Sequence, residues 1–368
     1  MIPYWKQYID NDDIQSVISV LQSDSLTTWP LVQEFEQSIC NYTWAKYCVS
    51  CWNGTQALHL AYLAIGLGPW DEVITTANTF VATSNMILLT WAKPVFCDIR
   101  MDDFNIDEEK IESLITNKTK AIAVVHFTGR PCNMSRIWEI ARKHNLKVIE
   151  DGAHALGASY DGEMIWNTQS DLVTFSFHPV KPITTWEWGA VVTNNRDYYE
   201  MMKKYRSHGI ERDEKGFNNM VAFGNNYRIT DIQCALWISQ MKKIEKFISH
   251  RRKVVDFYRK YLSSNQSLIL PKEDDIARSG WHLYVVRFLD KATRDSVMDE
   301  LKNKGYGVTL HYPPVYSHTY YRANWFQEFS LPNAETYFET CLSLPIFYWL
   351  EESEIGNISS IVTNSLVI

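Results

Sequence analysis

The sequence predicts an α/β fold, with a large α/β/α domain at residues 1–240 and a small α+β domain at 241–368. Three features carry that expectation. From about residue 55 to 195, helix-like segments alternate with short β-branched runs, the pattern of βαβ units and a mostly parallel sheet. Residues 231–262 then carry apolar positions at helical spacing among many charges and no proline, which reads as long helices leaving the core. Beyond them lie a strand-like run, a charged helical stretch and a helix after Pro332, enough for a small mixed domain. The N-terminal segment, though counted with the large domain, is expected to pack on the small one.

Taken in order, Gln56 to Ile65 has helical spacing. Expected strands are Glu72 to Thr76, Pro94 to Asp98, Ala121 to His126, Lys147 to Asp151, Leu172 to Ser176 and Ala190 to Thr193. Helices at Thr83 to Leu89, Glu108 to Ile115 and Ser135 to His144 fill the gaps, the last two amphipathic. In the C-terminal part, Trp281 to Leu289 is strand-like and Ala292 to Lys304 helical.

A net charge of −7 over 368 residues offers no broad basic face, so a nucleic acid partner is not expected. No run of 18 apolar residues is present and the start does not read as a secretion signal, so a cytoplasmic location and no membrane partner are expected. The seven cysteines are scattered, and Cys48 and Cys51 have no second pair to complete a zinc site. Buried thiols are expected of them, and no metal.

Three stretches carry chemistry. Leu172 to Ser176 ends a buried strand with a serine and is followed five residues later by Lys181, just past the strand's carboxyl end, where open α/β sheets place ligands. A lysine desolvated there becomes nucleophilic toward an aldehyde, although a lone lysine in a loop is more often a surface residue. Val148-Ile149-Glu150 delivers Asp151 at another strand end, followed by small residues. Such a carboxylate suits a cationic ring nitrogen, or else serves as a helix N-cap. A third piece, Asn53-Gly54-Thr55, opens a helix, and backbone amides at a helix N-terminus bind phosphate.

Together these stretches resemble the DegT/DnrJ/EryC1/StrS family of sugar aminotransferases over about residues 1 to 350. Further matching stretches are Ile2-Pro3-Tyr4, Leu26-Thr27-Thr28, Asn78 to Thr83, His154 to Ala158, Phe175 to Lys181, Arg206 to Ile210 and Asn226 to Gln233. The resemblance implies fold type I of the pyridoxal 5'-phosphate (PLP) enzymes, like aspartate aminotransferase. It implies that Lys181 forms the Schiff base and shuttles the proton, that Asp151 pairs with the ring nitrogen, and that Phe80 stacks on the ring, a core aromatic being the equal reading. Ser176 with the amides of Gly54 and Thr55 would hold the phosphate, and Asn226 would reach it from the partner subunit of a homodimer. His154 would support the cofactor or be a core histidine; Thr28 and Arg228 would face substrate, Arg228 being alternatively a structural ion pair. L-glutamate would donate the amino group to C4 of a UDP-linked 4-keto-6-deoxy amino sugar. A nicotinamide enzyme is disfavoured because no G-x-G-x-x-G follows the first strands.

One departure runs through the chain. Average usage of about 7% predicts roughly 26 glycines, whereas 15 are present beside 14 tryptophans. Where the family reads T-T-G-E-G-G after the lysine, this chain reads Thr184-Thr185-Trp186-Glu187-Trp188-Gly189. The same exchange falls at Trp5, Trp29, Trp44, Trp70, Trp91, Trp166, Trp237, Trp325 and Trp349, and Trp52 replaces a small residue before the phosphate loop. Side chains of that bulk in glycine positions cost about 1–3 kcal/mol each in strain. The expectation that follows as an alternative is a non-catalytic relative whose pocket tryptophan obstructs.

Overall fold

The computed structural model describes residues 1–27, 30–165 and 169–366. Its centre is a seven-stranded sheet. In spatial order the strands are Tyr47–Cys51, Gly189–Thr193, Leu172–Ser176, Lys147–Asp151, Thr119–Val125, Glu72–Thr76 and Lys93–Cys97. Five neighbours from Leu172–Ser176 to Lys93–Cys97 run parallel, and Gly189–Thr193 alone runs against both of its neighbours. These strands are buried on both faces, which is why they read as apolar runs without alternation.

Two apolar clusters cover the sheet. One gathers Phe35, Ile122, Val124, Ile137, Phe175 and Trp188; the other gathers Leu60, Tyr62, Val73, Ala121, Ile149 and Val191. The helix Gly54–Ala64 packs on the second face with seven of its eleven residues buried. Helix Asp231–Met241 joins helix Ile244–Leu262, whose apolar stripe Phe247, Ile248, Val254, Val255 and Tyr258 lies inward. A three-stranded antiparallel sheet, Leu268–Ile269, Tyr284–Phe288 and Cys341–Leu344, forms the C-terminal core with the helices Lys291–Asn303 and Glu352–Asn364. The N-terminal segment adds to that region: Ile2 bridges Tyr306, and Ile346 N–H donates to the carbonyl of Tyr4.

The expected strands and helices occur with shifts of a residue or two. Glu108 to Ile115 is shorter than expected: it is an α-turn to Ile111 followed by a 3-10 turn to Leu114. The run from Trp281 begins as a loop and becomes strand only at Tyr284. All seven cysteines are free and buried. Among the described residues no helix is long and apolar enough to cross a membrane, and no cluster of potential metal ligands is found.

Candidate active site

The antiparallel strand explains how distant motifs meet. Gly189 opens that strand and pairs with Cys51 on one side and Ser176 on the other, at the carboxyl ends of both neighbours. A Cβ built on Gly189 would lie 2.4 Å from the carbonyl oxygen of Asn53, so only glycine fits beside that backbone. A Cβ on Gly54 would likewise lie 2.8 Å from Cβ of Ser176. The Asn53 side chain caps the helix by accepting from Gln56 N–H at 2.9 Å. The amides of Gly54 and Thr55 are therefore left in the first turn, without helical acceptors, beside the Ser176 hydroxyl.

These groups line a cavity of about 410 Å³, within the range of roughly 300–1,000 Å³ usual for small-molecule sites. Gly54, Thr55, Phe80, Asp151, His154, Ser176 and Lys181 all contribute to its wall. Seven residues singled out from sequence thus converge on one space, although they span 128 positions from Gly54 to Lys181. Phe80 is 56% exposed at the cavity, which sets aside its reading as a core aromatic.

Asp151 is buried at its strand end, and each carboxylate oxygen accepts one hydrogen bond: Oδ2 from Thr83 Oγ1 at 2.8 Å and Oδ1 from Ala153 N–H at 3.1 Å. Burial raises its pKa, opposed by those two bonds and by the charges of Lys181 and His126. A carboxylate with lone pairs to spare and a desolvation cost is stabilised by a cation placed against it.

Lys181 sits in a loop closed on itself by Phe177 N–H to Trp188 O, Thr185 N–H to Phe177 O and Lys181 N–H to His178 O. Its stem keeps some exposure, but burial of the amine lowers its pKa to about 7, with Asp151 raising it and Arg251 lowering it. A substantial fraction of this amine is therefore neutral near pH 7, where an exposed lysine is almost wholly charged.

His154 is buried, and burial followed by the Lys181 charge holds its pKa well below the ordinary value, so its ring is neutral. Sequence reasoning missed Tyr4, Thr83, Glu187 and Tyr312, which also line the cavity. Tyr4 and Thr83 stood inside matching stretches; Tyr312 comes from a C-terminal loop, and no spacing rule links it to Lys181.

Two expected contacts are not brought to the cavity by this chain. Asn226 is exposed and Arg228 partly buried, and neither lines it. Thr28 lies outside the described residues. The expectation of an obstructed pocket is the one corrected, since no tryptophan among the described residues lines the cavity. Trp186 points to solvent at 60% exposure, Trp52 is 43% exposed, and Trp188 turns into the core with its ring 3.9 Å from that of Phe35. Trp29 and Trp166 lie outside the described residues.

Residues 7–363 match the model of the DegT/DnrJ/EryC1/StrS aminotransferase family. The chain belongs to this family. It is 39% identical to the UDP-4-amino-4,6-dideoxy-N-acetyl-beta-L-altrosamine transaminase of Campylobacter jejuni, over 94% of this chain and 92% of that one. It is similar in structure to Helicobacter pylori PseC, an aminotransferase of pseudaminic acid biosynthesis, with TM-score 0.92, 31% identity and coverage of 99% and 98%. A putative sugar aminotransferase from Streptococcus pneumoniae in its PLP form has TM-score 0.94 at 27% identity, with coverage of 100% and 99%. As a DegT/DnrJ/EryC1/StrS protein the chain is a PLP-dependent sugar aminotransferase.

Proposed function

We propose that this protein transfers an amino group from L-glutamate to C4 of a UDP-linked 4-keto-6-deoxy amino sugar, a step in nucleotide-sugar biosynthesis of the pseudaminic acid type, as a cytoplasmic homodimer. The observation that carries the chemical part is the convergence on one cavity of a helix N-terminus with the Ser176 hydroxyl, the buried Asp151 carboxylate and the depressed Lys181 amine. The substrate part rests on the relationship to a transaminase of a UDP-linked sugar.

The residues fit PLP group by group. The Gly54 and Thr55 amides and the Ser176 hydroxyl form an anion cradle that a Cβ at residue 54 would fill. Asp151 supplies the negative charge that keeps a ring nitrogen protonated. Phe80 would cover one face of a flat ring, and His154 presents a neutral imidazole to the same cavity as Asp151. PLP, when bound, supplies the electron sink that makes a Cα–H bond acidic.

Lys181 does the proton work. Its amine, neutral in good part near pH 7, takes a proton from one carbon of the bound reactant and returns it to another, changing role with its protonation state. Tyr4, Phe80 and Tyr312 narrow the space around that amine and limit water there. Asn226 and Arg228, away from this chain's own cavity, are assigned to the phosphate and substrate of the neighbouring subunit. Thr28 is assigned to substrate.

Purified protein loaded with PLP tests this reading when mixed with L-glutamate and then with a panel of UDP- and dTDP-linked 4-keto sugars. Formation of 2-oxoglutarate followed by amination of a UDP-linked 4-keto-6-deoxy sugar is expected. Formation of 2-oxoglutarate with preference for dTDP sugars would overturn the substrate assignment alone.

A further inference from the structure

One buried group touches Lys181 and has no task in the chemistry above. His282 lies in the loop before strand Tyr284–Phe288, and its Nε2 stands 3.4 Å from Nζ of Lys181. The residue is 3% exposed, and its Nδ1 has no hydrogen-bond partner. Its backbone is pinned from two sides. The Arg251 guanidinium donates to the carbonyl of His282 at 3.2 Å and also to those of Trp281 and Ile346. Gly129, where a Cβ would lie 3.1 Å from the His282 nitrogen, packs against the same turn. The His154 ring stands 4.4 Å away. A separation of 3.4 Å is long for a hydrogen bond, as is common at catalytic groups in the absence of ligand.

We propose that His282 is a positioning residue whose Nε2 accepts a hydrogen bond from the free Lys181 amine and holds that amine at the cavity. The proposal rests on Lys181 being the amine that condenses with PLP. A free lysine side chain samples many rotamers, so an amine released from the cofactor needs a fixed acceptor if it is to remain aligned. The imidazole must be neutral for this role. Burial, then the charge of Lys181, holds its pKa well below the ordinary value. Other titratable or charged groups facing this pair are Asp151, His154 and His178 from the large sheet and its loops, and Arg251 from helix Ile244–Leu262. His311 faces it from the C-terminal loop, and Tyr4 and Tyr312 line the same cavity.

The test uses protein free of PLP, so it stands or falls apart from the cofactor assignment. An amine-reactive reagent is applied across a pH series, and labelling of the Lys181 peptide is measured by mass spectrometry in wild type, His282→Gln and His282→Leu. The wild-type midpoint is expected at about 7. It should fall in His282→Leu, because the ammonium form loses its acceptor, and return toward wild type in His282→Gln. Nitrogen NMR of the wild-type histidines, independent of any variant's folding, should show His282 protonated at Nδ1 and bare at Nε2. An unchanged midpoint in His282→Leu, or a proton on Nε2, would overturn the proposal.

A separate set of observations concerns the tryptophans. Trp44, Trp70, Trp91 and Trp186 all have left-handed backbone, with φ of 57°, 75°, 65° and 72°. All four side chains lie in solvent, so no packing compensates for that conformation. Trp188 and Trp237 are fully buried with indole N–H groups that have no partner, whereas the Trp138 indole donates to Ser170 Oγ at 2.8 Å. Trp281 also has positive φ, but it is buried and lies under Arg259 at 5.3 Å.

We infer that the gene specifies Trp44, Trp70, Trp91, Trp186, Trp188 and Trp237, and the others at which tryptophan replaces a family glycine, by UGA in a genetic code that reads UGA as glycine. UGA is assigned to tryptophan in some codes and to glycine in others, so one codon would account for the glycine deficit and the tryptophan excess together. Two readings test it. The codons at Trp44, Trp70, Trp91, Trp186, Trp188 and Trp237 should be UGA, and those at Trp138 and Trp281 UGG. A chain made with glycine at the first six should melt at a higher temperature than the tryptophan chain. UGG at those six positions, or an equal or lower melting temperature, would contradict the inference.

Discussion

At the scale of single residues, the central group is an amine whose charge is set by its surroundings. Because burial lowers the pKa of Lys181 to about 7, its unfolded form binds more protons between about 7 and the ordinary lysine value near 10.4, and stability should rise with pH across that window. Below it the full cost of burying the ammonium is present. Lys181→Met, without PLP, is therefore expected to be more stable than wild type near pH 7, with the gain shrinking as the pH approaches 10; denaturant titrations at several pH values measure it. On the proposed function, Asp151→Asn removes the charge that would hold the cofactor nitrogen protonated. It should lower the rate of the glutamate half-reaction by about a hundredfold or more, on the scale of a lost acid–base partner, while phosphate-dependent binding of PLP persists. A loss of less than threefold in stopped-flow absorbance would count against that role.

At the scale of elements, the site depends on where one strand begins. Gly189 meets the Asn53 carbonyl so closely that Gly189→Ala must move the phosphate loop. A destabilisation of about 1–3 kcal/mol is expected, together with weaker PLP binding, read by urea unfolding and by titration of cofactor absorbance. Gly54→Ala should be milder and partly rescued by Ser176→Gly, since the collision is with that side chain. Much of this architecture was legible in the sequence. Buried parallel strands announce themselves as apolar runs, and the motifs around Asp151, Ser176 and Lys181 fall at their carboxyl ends. The strand Tyr47–Cys51 was not legible, because its cysteines and serine lack β-branched bulk; neither was the reversed direction of Gly189–Thr193, which no local pattern encodes. Residues that reach the site from the far part of the chain, such as His282 and Tyr312, were invisible for a related reason: tertiary packing alone relates their positions to Lys181. The obstruction expected from tryptophan failed because the loop after Lys181 turns Trp188 into the core against Phe35 and Trp186 to solvent.

At the scale of the whole molecule, the described surface contains an apolar arm. The hairpin Ile210–Arg212 and Asn218–Met220 stands out with Phe217, Met220 and Phe223 exposed, a pattern expected where a second surface covers it. Asn226 follows this arm and lies outside its own chain's cavity. If the protein is the proposed homodimer, Phe223→Asp should shift sedimentation toward monomer and weaken PLP retention, because the contribution proposed for the partner's Asn226 would be lost. A dimer that persists with full PLP retention would argue that the site is complete in one chain.

The most direct measurement is reduction of the PLP-loaded protein with borohydride, followed by digestion and peptide mass analysis. The account predicts a pyridoxyl group on the side chain of Lys181 and on no other lysine. A folded protein that binds PLP but carries the group elsewhere, or nowhere, would contradict it.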